Sequence, residues 1–139
     1  MEKERVYLDT NVIIGITETQ SAMADGQKGL VNALLNRKLV GVTSEISLAE
    51  CLVKPIKEND QALVDLYMEL FSDESGLVIS SIDRLILIEA AQVRARDKIK
   101  LPDAVHFATA QLSGCNTFIT NDKRLASLWG KNSLIWQLL

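Results

Sequence analysis

Val6-Tyr7-Leu8-Asp9-Thr10-Asn11-Val12-Ile13-Ile14 is a short apolar run that breaks on Asp-Thr-Asn and then resumes. Parallel strands of α/β proteins are covered on both faces and read as unbroken Val, Ile, Leu and Tyr, and ligands gather beyond their carboxyl ends. The run up to Leu8 therefore reads as a strand, and Asp9 falls where a ligand would sit. Asp, Thr and Asn also satisfy free N–H groups at a helix start, so the same triplet reads as a cap for a helix opening over Val12–Thr17. What separates the two readings is whether other acids are placed in the same way further along.

With 139 residues the chain suffices for one domain with a real core and is short for two, so a single domain spanning 1–139 is expected. Only 7 Gly and 2 Pro, with no repeat and no low-complexity tract, argue against disorder beyond the first few residues. The segment Met1–Arg5 is charged and leads straight into the strand, and no apolar run reaches the length of a signal segment or a membrane span. A cytoplasmic protein without membrane contact is the expectation. Cys51 and Cys115 lie far apart and fit neither a redox pair nor a zinc spacing, which leaves buried free thiols. A net charge of −3 excludes the broad basic field of non-specific nucleic-acid binders, so any contact with phosphates must be local or carried by a metal.

Beyond the first strand, Glu18–Gly29 is polar and small and reads as a loop with helical turns, and Leu30, Val31, Leu34, Leu35 and Leu39 repeat at helical spacing. Val40–Thr43 reads as a strand. Ser44 then caps a helix Glu45–Lys54 whose stripe is Ile46, Ala49 and Val53, widened by Leu48 and Leu52, with Pro55 ending it. Glu50 belongs to the same series. A carboxylate at the edge of an apolar stripe is costly unless paired, and the plain alternative is that it reaches solvent or a nearby Lys.

Asn59 or Asp60 caps a further helix burying Leu63, Leu66, Tyr67 and Leu70; exposed apolar surface over Leu63–Phe71 would be a dimer face or core. Ser72–Gly76 is a turn, Leu77–Ser80 a third strand, and Ser81 the cap of a helix from Ile82 towards Asp97. Arg94, Arg96, Lys98 and Lys100 at its far end read as a solvated face that would serve as an RNA-facing edge beside a nuclease site. Pro102 opens another helix and sets Asp103 in its first turn, near the positive end of the dipole; Ala104, Ala108 and Ala110 let that helix pack close to the sheet. Gly114 ends it. Thr117–Thr120 is a fourth strand that again breaks on polar residues, Asn121-Asp122; Lys123–Leu125 begin a helical turn, and Leu134–Trp136 form a last strand or edge.

Alternating strands and helices imply right-handed crossovers and a mostly parallel sheet sandwiched between helices, an α/β fold. In that architecture Asp9 and Asp122 lie at strand ends, and helices starting at the same end bring Glu50 and Asp103 towards them. Carboxylates that close take up protons or bind a cation, and oxygen-only ligands favour Mg²⁺ or Mn²⁺. Such ions activate water and stabilise the leaving oxygen in phosphodiester cleavage. The lone histidine, His106, has no nucleophile partner in sequence and reads as a packing residue or a contact behind the site.

Tyr7-Leu8-Asp9-Thr10-Asn11, the Ala49-Glu50 helix, Leu101-Pro102-Asp103-Ala104 with His106 and Ala108-Thr109-Ala110, and Thr120-Asn121-Asp122 resemble the four acidic motifs of PIN-domain nucleases, in order and over nearly the whole chain. The resemblance implies a metal-dependent ribonuclease of PIN-like fold. A chain this small is similar to VapC-type toxins, which cleave RNA, commonly form homodimers and are neutralised by a cognate antitoxin. By position, Asp9, Glu50, Asp103 and Asp122 would form the catalytic, metal-binding cluster, and Thr10, Asn11, Thr120 and Asn121 would orient the carboxylates or waters. The alternative is a PIN-like binding module whose acids hold a structural cation or a basic partner without turnover. A phosphatase using Asp9 as nucleophile needs a second acid two residues on, where Asn11 stands.

Overall fold

The computed structural model describes residues 2–139; Met1, the first of the charged lead residues, lies outside them. Five parallel strands form one sheet: β1 (Glu4–Leu8), β2 (Leu39–Ser44), β3 (Val78–Ser80), β4 (Thr117–Thr120) and β5 (Ser133–Ile135), in the order β3-β2-β1-β4-β5. The chain moves outward from β1 to β3 on one side and then returns to add β4 and β5 on the other. A right-handed crossover puts its helix on the opposite face when the direction of travel reverses. Accordingly α1 (Thr10–Glu18), α2 (Asp25–Leu35) and α4 (Gln61–Leu70) pack on one face, while α5 (Arg84–Arg96), α6 (Leu101–Leu112) and α7 (Lys123–Trp129) cover the other. The helix α3 (Glu45–Lys57) contributes Ile46 to one core and Cys51 to the other.

Alternation along β1 feeds the two cores. Tyr7 lies in register with Val42 and Phe118 and faces α6, whereas Val6 and Leu8 face α1 and α2 together with Ile119. Tyr7 stacks on Phe118 at 5.1 Å between ring centroids, and Phe107 and Trp129 complete an aromatic cluster. Pairs of this kind contribute about 1 kcal/mol each beyond the area they bury. Ala104, Ala108 and Ala110 are fully buried, as the close approach of α6 to the sheet requires.

Several elements depart from the sequence expectation. The helix α2 starts at Asp25, within the stretch that reads as a loop, because Gln27 reaches back to the Ala24 N–H at 3.0 Å and supplies the cap that Ala24 lacks. The helix α3 runs through Pro55 to Lys57: Pro55 sits in the last turn, and its carbonyl accepts the Asp60 N–H at 2.9 Å. The fully buried positions of α3 are Ser47, Cys51 and Pro55; of the expected stripe Ile46 is partly buried against the core, while Ala49 and Val53 are exposed. Asp60 caps α4 through the Leu63 N–H, and Leu66, expected inside, is exposed. The cap of α5 is Asp83, not Ser81, so this helix begins at Arg84. Cys51 is buried as expected and Cys115 only partly; both are free thiols. Among the described residues no helix is long and apolar enough to cross a membrane.

After β5 the chain makes a 3₁₀ turn, Trp136–Leu138, whose backbone lies against α2. Gln27 donates to the Trp136 carbonyl at 2.9 Å, and a Cβ added at Gly26 would meet the Leu139 carbonyl carbon at 2.4 Å. Gly29, one turn on, has nothing within 4 Å of such a Cβ. Gly29→Ala should therefore add about 1 kcal/mol of stability, the ordinary gain of Ala over Gly in a helix. Gly26→Ala should show no gain or a loss; urea unfolding of the two variants side by side checks the contrast.

Candidate active site

The direction of travel reverses between β1 and β4, and in open parallel sheets ligands bind beyond the strand ends at such a switch point. Asp9 follows the last residue of β1 there and is the N-cap of α1. Its Oδ1 accepts the Thr10 N–H at 2.8 Å; its Oδ2 accepts the Thr120 hydroxyl at 2.6 Å and the Asn11 side-chain amide at 3.3 Å. Only 5% of Asp9 is exposed, so these donors replace most of its hydration. Capping and site placement coincide in one residue.

Glu50, from the middle of α3, keeps part of its side chain in solvent, as the plain reading expects, but among the described residues its ionic partner is His106 and not a Lys. Its Oε1 lies 2.7 Å from His106 Nε2 and accepts the Thr10 hydroxyl at 2.8 Å. The His106 hydrogen bond, with help from Thr10, holds its carboxyl below the usual carboxylate range against the opposing effect of burial. Behind Thr10, Ser47 stands 3.0 Å from its hydroxyl and 2.8 Å from Thr43, which in turn donates to the Leu8 carbonyl at 2.9 Å. This polar ladder explains why α3 buries Ser47 and why its stripe is rotated from the hydropathy pattern.

Asp103 lies in the first turn of α6 and is half-buried. Burial raises its pKa first, and the charges of Asp9, Asp122 and Glu50 raise it further; His106 opposes them without prevailing. Asp122, the N-cap of α7, accepts the Arg124 and Leu125 N–H groups at 2.9 and 3.2 Å through Oδ1. Its own N–H donates to Thr120 Oγ1 at 2.9 Å, so Thr120 joins it to Asp9. Asn121 stands one step behind the acids: its N–H donates to Asn11 Oδ1 at 3.0 Å, and its Oδ1 accepts the Gln137 N–H at 2.9 Å, tying the 3₁₀ turn to the start of α1.

Thus Asp9, Glu50, Asp103 and Asp122 arrive from four elements, the first, second and fourth bearing on Asp103 electrostatically, with Thr10, Asn11 and Thr120 bonded directly to Asp9 or Glu50. Among the described residues the ion pairs are those of His106 with Asp9, at 3.6 Å, and with Glu50; no Lys or Arg neutralises the acids. Nor do any three Asp, Glu, His or Cys side chains among those residues form a ready-made metal cage. An all-oxygen set with uncompensated charge and an open arrangement suits Mg²⁺ or Mn²⁺, since Mg²⁺ keeps several waters and takes only one or two carboxylates. The contacts of Tyr7, Thr43, Ser47 and His106 escape sequence reading, because each depends on a partner far away in the chain.

The family described as PIN domain matches residues 6–130. No curated protein matches the chain. Solved structures similar along nearly the whole chain include the following three. A toxin-antitoxin complex from Klebsiella pneumoniae is 23% identical with a TM-score of 0.66, covering 95% of this chain and 97% of that one. VapBC2 from Rickettsia felis, bound to a DNA fragment from its promoter, is 18% identical with a TM-score of 0.70, covering 95% and 98%. FitAcB from Neisseria gonorrhoeae is 18% identical with a TM-score of 0.68, covering 96% and 99%. These likenesses show a shared fold.

A carboxyl whose pKa is raised on folding destabilises the folded state once it ionises: its contribution is intact below the unfolded pKa and is lost as pH rises through the folded one. Asp103→Asn should therefore raise the Tm of the metal-free protein modestly at pH 7. The gain should vanish as pH falls through the carboxylate range, where Asp103 is neutral in both states. Thermal melts in EDTA at several pH values check this, and a large loss of stability instead would make the carboxylate structural.

Proposed function

Since the chain belongs to the PIN domain family, we propose that it is a Mg²⁺- or Mn²⁺-dependent endoribonuclease, the toxin of a VapBC-type toxin-antitoxin pair. The observation that carries this reading is the convergence of Asp9, Glu50 and Asp122 on Asp103 at the switch point, with no Lys or Arg among the described residues paired to any of them. Asp9 and Asp103 would hold the ion, with Glu50 and Asp122 completing the cluster. The ion would supply positive charge for the phosphate and polarise a water. Asp9 is locked in one orientation by donors from α1 and β4, so little reorganisation accompanies binding. Glu50, kept ionised by His106 and Thr10, is suited to accept the proton of the attacking water.

The substrate class is supported by the edge beside the acids. Lys98 and Lys100 precede α6, Lys123 and Arg124 open α7, and the Arg124 guanidinium donates to the Lys98 carbonyl, joining the two segments. Basic side chains next to an acidic site fit a polyanion whose phosphates lie along the edge while one enters the cluster. The antitoxin is supported by the neighbouring structures, toxin-antitoxin complexes in which a chain of this length and fold takes part. The exposed Leu66 and Met68 on α4 support a homodimer, and two cores sharing one sheet support a single domain. A cytoplasmic location accompanies a toxin that acts on cellular RNA.

Purified protein incubated with mixed-sequence RNA should cut it in Mg²⁺ or Mn²⁺ and not in EDTA. Asp103→Asn should lose about 10²-fold or more of the rate, the scale of removing one charge-stabilising group. Metal binding without cleavage of any RNA, alone or after removal of a co-purifying partner, would replace the nuclease by the binding-module reading.

A further inference from the structure

The chain has a single histidine, and it is 1% exposed, yet neither ring nitrogen meets the backbone. Nδ1 lies 2.6 Å from the Tyr7 hydroxyl on β1; Nε2 lies 2.7 Å from Glu50 Oε1 on α3 and 3.2 Å from Thr10 Oγ1 on α1. The imidazole on α6 thus bridges three other elements at the point where they meet. A residue present only for packing would be replaced at less cost by an apolar side chain, since a buried imidazole must have both nitrogens satisfied.

The donor arithmetic fixes the direction of this relay. Glu50 Oε1 is a carboxylate oxygen and can only accept, so Nε2 donates to it and Nδ1 of the neutral ring is left to accept the Tyr7 hydroxyl. The ring proton then sits on Nε2 and points at Glu50 Oε1. With Oε1 engaged by His106 and Thr10, Oε2 is left for solvent or a cation. Glu50 would otherwise be a long, partly exposed side chain with several open rotamers, its side chain being 37% exposed.

We infer that His106, aligned by Tyr7, is the positioning residue of Glu50, presenting its carboxylate to the acidic site in one orientation. The assignment rests on the metal-dependent reading above only where metal affinity is measured. Partners behind a ligand of this kind typically change metal affinity by about 10- to 100-fold when removed.

Because there is one histidine, its ¹⁵N signals are unambiguous. In metal-free protein Nδ1 should show the shift of an unprotonated acceptor and Nε2 that of a protonated donor. Tyr7→Phe, which keeps the stack on Phe118, should shift the Nδ1 signal by removing its donor while the proton stays on Nε2 against Glu50. The reverse tautomer, or no effect of Tyr7→Phe, would overturn the relay without reference to metal or RNA. In Mn²⁺ titrations His106→Leu should weaken binding about 10- to 100-fold and His106→Gln, whose amide can replace the Nε2 donor, should restore most of it. In a Glu50→Gln background His106→Leu should cost little more; an equal loss there would make His106 merely structural. Asp9→Asn is the control. If it leaves Mn²⁺ binding unchanged, the metal reading fails, and the tautomer measurement alone decides the relay.

Discussion

A carboxylate buried at the end of a central strand has to be satisfied by the fold itself, and Asp9 sets this requirement here. Its donors come from two elements, the first residues of α1 and the last residue of β4. They converge only because β4 lies in parallel register beside β1, with Leu8 opposite Ile119. An uncompensated buried charge costs about 3–5 kcal/mol, so slippage of that register would be opposed by the site as well as by the two cores. Fold and site are specified by the same pairing.

The strands and most helices are legible in sequence because their signals are local. Continuous runs such as Val6–Leu8 and Thr117–Thr120 end on capping residues, and Pro102 starts α6. Where the reading fails, the deciding interaction is distant. Gly26 and Gly29 disguise the start of α2, and Gly26 is required by the Leu139 backbone more than one hundred positions away. Ser47 is buried against hydropathy because Thr43 and Thr10 satisfy its hydroxyl. Ser81 is as good a cap as Asp83 in isolation, and the structure uses Asp83, whose carboxylate accepts the Ile86 N–H.

For the candidate site, acidic spacing and topology together name the four carboxylates, while their environments lie beyond sequence. Asp9 and Asp122 both cap helices, so the plain reading and the functional one were never exclusive. Glu50 carries no sequence mark of its partner, because His106 is fifty-six positions away and Tyr7 is ninety-nine from His106. Polar residues alternating with buried neighbours in strands, such as Thr43 and Thr120, are the one available hint that something polar is being satisfied inside.

The environments divide the acids into two kinds. Asp9, Asp122 and Glu50 are each held by hydrogen bonds from the protein and are fixed before anything binds. Asp103 has its pKa raised by burial and by its acidic neighbours, with only the weaker influence of His106 against them. Its position near the positive end of α6 does not offset this, because a helix dipole offers at most about 2 kcal/mol to a carboxylate and three nearby negative charges oppose it. Burial and neighbouring negative charge thus weigh on Asp103, and under the metal-dependent reading a cation beside it would offset part of that cost. On that reading a bound cation should also stabilise the fold, since positive charge beside Asp103 favours the ionised form that burial and its acidic neighbours disfavour in the metal-free protein.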